Sequence, residues 1–133
     1  MSSKVKYLSS ILAPVSLGEL IDKITILEIK QIHMTGIKLK NVDKELKLLK
    51  NILQDKNLEI DIDLINNLKE VNKNLWEIED NIRIKESNQE FDKDFIELAR
   101  SVYKENDKRA SIKKEINQRY NSNLDEEKSY KNY

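Results

Sequence analysis

The chain has 133 residues with 24 basic and 24 acidic side chains, two glycines, one proline and no cysteine. The length suits one domain, residues 1–133, and so few turn residues exclude a multi-stranded protein. Balanced charge argues against a nucleic-acid face, no apolar run approaches the roughly 20 residues of a membrane span, and the lack of cysteine removes disulfides, thiolate nucleophiles and cysteine metal sites, which fits a cytoplasmic protein.

The lead-in, residues 1–15, is expected to pack Ile11, Leu12 and Val15 on the body of the protein. The apolar stretch in Met1 to Ser10 is too short for a signal peptide. Ser16-Leu17-Gly18-Glu19 matches a capping box, with Val15 and Leu20 spaced as its hydrophobic staple, so a first helix is predicted from Leu17 to about Met34. Thr35-Gly36 breaks or bends the chain before apolar spacing resumes at Val42, Leu46, Leu49 and Leu53. After a polar connection from about Gln54 to Asp61, Leu64, Leu68, Val71, Leu75, Ile78 and Ile82 form a coiled-coil-like seam. Asp92 is the expected N-cap of a last helix reaching about Tyr120, with Phe91 and Ile96 as its staple. Residues 121–133 read as a polar, non-helical tail, with Glu126-Glu127-Lys128 solvated unless Tyr130 and Tyr133 dock it onto a groove. The fold class is all-α, an antiparallel bundle of three to four long amphipathic helices. With only 38% hydrophobic residues, a dimer is expected to complete its core.

Polar side chains interrupt the apolar stripes. Glu28 and Gln31 fall in the face made by Leu17, Leu20, Ile21, Ile24 and Leu27, while Ile26 and Ile29 lie opposite, as expected of a helix central to the bundle or shared with a second subunit. Asn72 and Glu79 flank the third stripe; Asn106, Arg109 and Lys113 interrupt the last. A buried charge without a partner costs several kcal/mol, so these groups must pair or line a wet pocket. The simplest arrangement pairs Glu28 and Glu79 with Arg109 and Lys113, with Arg83 joining from the next turn. The chain uses twenty lysines and only four arginines, all on the last two helices. Arginine's planar fork suits bidentate contact with a carboxylate or a phosphate.

Other signals point to no chemistry. His33 is the single histidine and lies off the stripe, so a di-metal site of the Glu-x-x-His type lacks its ligands, and neither metal nor cofactor is expected. Trp76 and Ile65 read as core or dimer interface. Tyr103 reads as amphipathic packing, and Ser101 and Ser111 have no neighbouring base to make either a nucleophile.

The blocks Gly18 to Lys30 (GELIDKITILEIK), Leu75 to Asp80 (LWEIED), Phe95 to Asn117 and Glu126 to Tyr130 (EEKSY) resemble a family of uncharacterised bacterial proteins. The resemblance spans about residues 11 to 130. It implies no activity, but it places Glu28, Glu79, Asn106, Arg109 and Lys113 inside the shared blocks and argues against dismissing residues 126–130 of the tail. Asn41-Val42-Asp43-Lys44-Glu45 resembles the acid-and-arginine stretch on the second helix of the all-helical chorismate mutases, with Lys44 where they carry arginine and no arginine on the first helix.

Two functions follow. One is a binding or assembly module, homodimeric or holding a protein partner, whose polar cluster of Glu28, Glu79, Arg83, Asn106, Arg109 and Lys113 is structural or recognises that partner. The other is a small enzyme or ligand-binding protein, chorismate-mutase-like in architecture, that holds an anionic metabolite with Arg109, Lys113 and Arg83. Such an enzyme would act by electrostatic stabilisation and restraint, without a nucleophile.

Overall fold

Helix boundaries follow the capping chemistry. In the computed structural model, which describes residues 10–133, the Ser16 hydroxyl accepts a hydrogen bond from the Glu19 amide at 3.0 Å and opens α1, Leu17–His33. Only this half of the capping box forms. The Glu19 carboxylate turns to Lys113 instead, because an ammonium is a stronger partner than a backbone amide. Val15 is half-exposed and does not close a full staple over buried Leu20.

Thr35-Gly36 breaks the chain. Met34 and Thr35 are extended, and Gly36 begins α2, Gly36–Asp55, at φ +63°, a left-handed conformation that strains residues bearing a Cβ. α3 spans Ile62–Ser87 behind Asp61, whose carboxylate accepts from the Asp63 amide at 2.9 Å. α4 spans Lys93–Arg119 behind Asp92, which accepts from the Phe95 amide at 3.0 Å. Phe91 meets Phe95 edge-on at 5.3 Å, while Ile96, its expected staple partner, is more than half exposed. Among the described residues there are four helices and no strand, and no helix is long and apolar enough to cross a membrane.

The helices form two antiparallel hairpins. In the first, Gln31 donates to Asp43 near the turn and Glu28 pairs with Lys50 farther along. The second runs from Lys85 and Asp92 at its closed end to Asp61 and Arg119 at its open end. α1 packs against the other three helices, whereas α2 approaches α1 alone. Two apolar faces make this possible. Leu20, Ile24 and Leu27 bury against Val42 and Leu46 of α2, and Ile21 buries with Leu64 and Leu68 of α3 and Ile116 of α4.

The two hairpins differ in length. His33, the last residue of α1, stacks on Trp76 of α3 with ring centroids 4.7 Å apart. α3 then continues to Ser87, about 16 Å farther at 1.5 Å per residue. The α3–α4 hairpin therefore overhangs a step formed by the α1–α2 turn.

The start of the described chain departs from expectation, whereas the tail follows the docked alternative. Ile11 and Leu12 are 80% and 90% exposed and do not pack on the bundle. The Met1 to Ser10 reading lies outside the described residues except at Ser10. The tail is non-helical, as its composition predicts, but it is not simply solvated. Asn121 takes φ 53° and reverses the chain, which returns along α4 with Glu126 at Lys113 and Tyr133 at Tyr103.

Candidate functional site

The polar cluster is built where α1 comes closest to α4. A Cβ on Gly18 would stand 2.6 Å from the Lys113 carbonyl oxygen, so only glycine permits this approach. The Gly18 amide donates to Asn117 Oδ1 at 2.7 Å, and the Leu17 amide donates to Ser122 Oγ at 3.1 Å. With Glu19 capped by Ser16, the amides that open α1 are spoken for.

One turn farther, Asp22 is fully buried. Its carboxylate accepts a two-pronged contact from Arg109, with Nε on Oδ1 at 2.9 Å and the second guanidinium nitrogen on Oδ2. Asn72 of α3 donates to the same Oδ1 at 2.9 Å and lies 2.9 Å from Thr25 Oγ1; the Thr25 hydroxyl itself donates to the Asp22 carbonyl at 2.8 Å. Asp22 thus ties α1, α3 and α4 at one level.

Lys113 continues the cluster toward the tail. Its Nζ lies 2.6 Å from Glu19, 3.0 Å from Glu126 and 3.7 Å from Asp22. Asn117 donates to Asp125 at 2.9 Å, and Lys114 reaches both Asp125 and Glu127. Bonding to Asp22 raises the already high pKa of Arg109 against the cost of its burial. Burial disfavours the Lys113 ammonium most strongly, but its bonds to Glu19 and Glu126, with the nearby charges of Asp22 and Glu19, outweigh that and hold its pKa above the ordinary 10.5. Lys113 in turn holds the Glu126 carboxyl below 4.5.

Three carboxylates, those of Glu19, Asp22 and Glu126, face two cations, Arg109 and Lys113. Among the described residues, every buried side-chain nitrogen or oxygen has a hydrogen-bond partner. The cluster has no surplus positive charge to offer an anion. What it does is bind one helix to two others and to the tail.

Of the sequence-predicted site residues, Arg109 and Lys113 enter this cluster and Glu28, Glu79, Arg83 and Asn106 do not. Glu28 lies about 120° around α1 from Asp22, which turns it toward α2. There it pairs with Lys50 at 3.4 Å and Lys69 at 3.7 Å, at the edge of an open groove of about 770 Å³ between α1 and α2. Glu79 and Arg83 pair with each other at 3.3 Å on the exposed side of α3. Asn106 is half-buried on α4, outside the network. The Asn41 to Glu45 stretch lies on α2, remote from Arg109, with only Val42 buried.

The partners that sequence reasoning missed are Asp22, Glu19, Thr25 and Asn117. A signal for them exists. Gly18, Asp22 and Thr25 recur at helical spacing, and such a stripe of small and polar residues marks close backbone approach around one buried acid.

No curated protein and no solved structure matches the chain. The model of a family of unknown function, DUF6165, matches residues 12–133, which span the four helices, the cluster and the tail, and the chain belongs to that family.

Proposed function

We infer that the protein is a helical assembly module: a braced scaffold that presents exposed apolar surface to a protein partner, with its buried ionic cluster serving as the brace. The observation that carries this reading is the charge count at Asp22, where carboxylates outnumber cations and the tail covers Lys113. A metabolite site built on Arg109 and Lys113 needs cations awaiting an anion, and here both are already engaged. Exposed Ile32, Ile37, Ile84 and Phe91 lie far from the cluster and supply surface for protein contact.

Thermal unfolding of Arg109→Met beside the parent, with and without a panel of anionic metabolites, tests the reading. A large loss of stability with no metabolite effect is expected. An unchanged or raised midpoint in the variant, with a metabolite stabilising only the parent, would overturn it and make the cluster a ligand site.

A further inference from the structure

The step between the two hairpins has a chemistry opposite to that of the overhang above it. Between Glu28 and Asp43 the sequence has Lys30, His33, Lys38 and Lys40 and no carboxylate. This stretch is the end of α1, the turn and the start of α2, and it carries Ile32 and Ile37 at 72% and 77% exposure. The hairpin tip, residues 85–97, carries Glu86, Glu90, Asp92, Asp94 and Glu97 against Lys85 and Lys93; Lys85 engages Glu90 and Asp92, and Arg100 just beyond engages Glu97, so Glu86 and Asp94 supply the uncompensated charge. Ile84, Phe91 and Ile96 are each more than half exposed there. Among the described residues, Lys38, Lys40 and Glu86 form no ion pair with another side chain.

We propose that a second copy of this chain covers these surfaces, the acidic hairpin tip of each copy seating on the basic α1–α2 step of the other. The inference rests on the assembly-module reading and names its partner. Two step-shaped bodies related by a two-fold axis interlock, each overhang filling the space above the other's step, so the contact closes at two copies. Charge selects this pairing over the alternatives. Tip against tip would oppose two groups of carboxylates and step against step two groups of lysines, whereas tip on step joins opposite signs around apolar centres.

Analytical ultracentrifugation over a range of concentration and salt, with three variants of the full chain, tests the proposal. All the substituted side chains project from the surface, and the circular dichroism of each variant checks that it folds. The parent is expected to dimerise, more weakly as salt rises. Lys38→Glu with Lys40→Glu, or Glu86→Lys with Glu97→Lys, should each weaken dimerisation tenfold or more, and Ile37→Ser should weaken it as well. An equimolar mixture of the two charge-reversed variants should recover the dimer, because each tip then meets a step of opposite sign. A parent that is monomeric at every soluble concentration overturns the proposal, as does a step-reversed variant that dimerises as tightly as the parent or a mixture no tighter than either variant alone. A monomeric parent whose Arg109→Met variant is strongly destabilised would remove the second copy as partner while leaving the assembly-module reading in place.

Discussion

Replacing Asp22 by asparagine keeps the shape of the side chain and removes its charge, so the substitution isolates the ion pair. Breaking a buried pair by removing one partner costs roughly 3 to 5 kcal/mol, because the other charge is left uncompensated. In Asp22→Asn the stranded partner is Arg109, whose side chain is 29% exposed and reaches water, which places the cost near the low end, about 3 kcal/mol. For a chain of this size that corresponds to a fall in Tm of about 10 °C. In Arg109→Met the stranded group is the Asp22 carboxylate, fully buried and left with Asn72 and a longer contact to Lys113, so that variant should be the less stable of the two. The double variant should then be more stable than Arg109→Met alone, since the buried charge has gone as well. Denaturant unfolding of the four proteins as a double-mutant cycle measures this coupling directly. Losses that simply add, or an Asp22→Asn cost below about 1 kcal/mol, would refute the reasoning that the cluster braces the bundle.

Three further outcomes follow from named contacts. Gly18→Ala, which in an open helix stabilises by up to about 1 kcal/mol, should instead destabilise by roughly 1 to 3 kcal/mol, because the added methyl meets the Lys113 carbonyl oxygen; chemical denaturation reads the sign. Leu68→Ala, at a fully buried position where α1, α3 and α4 meet, should cost roughly 2 to 5 kcal/mol, whereas Leu48→Ala on the exposed face of α2 should stay within about 0.5 kcal/mol of the parent. Because Lys113 lowers the Glu126 pKa below 4.5, the contribution of Glu126 to tail docking is fully present above 4.5 and is lost as pH falls through its depressed value; the Glu126 resonances in an NMR titration should shift below pH 4.5, and Glu126→Gln should remove that part of the tail's response while leaving the part due to Asp125, which Asn117 holds below its ordinary 3.8.

The helices were legible in the sequence because their signals are local. Ser16 and Asp92 each sit one residue before a helix and cap it, and the Leu64 to Ile82 seam identifies α3 by spacing alone, although the Asp61 cap of α3 was not read from the sequence. That α1 needs two sets of neighbours was legible too, since it is apolar on two sides, but whether the second set came from this chain or from a second subunit was not; in the structure Leu20, Ile24 and Leu27 meet α2 while Ile21 meets α3 and α4. Pairing across helices was not. Glu28 and Asp22 both lie on α1 in reach of other helices, and the spacing of apolar residues does not say which neighbour each faces. Glu28 drew attention because it interrupts a wide apolar stripe, and it proved to face lysines of α2 and α3 at the rim. Asp22 escaped notice because its own stripe, Gly18, Asp22 and Thr25, has too few large apolar residues to read as a buried face. It is buried because those small residues let the backbones of α1 and α4 approach.

That arrangement addresses a problem created by the seam itself. Leu64, Leu68, Val71, Leu75, Ile78 and Ile82 repeat every seven residues, so α1 sliding by two turns along α3 would meet a similar apolar surface, and hydrophobic contact alone discriminates poorly between the two registers. The carboxylate of Asp22 does discriminate, because only one register brings Arg109 and Asn72 to it together. A slide of seven residues would displace the α1–α2 turn by about 10 Å along the hairpin, against an overhang of about 16 Å. The height of the step is therefore set by the same contacts that brace the bundle. If a second copy seats its tip on that step, loss of the Asp22–Arg109 pair should weaken dimerisation without altering a single residue at the proposed interface. Ultracentrifugation of Asp22→Asn at a temperature where it remains folded separates the two effects: a dimer as tight as the parent's would show that the brace and the docking surface are independent.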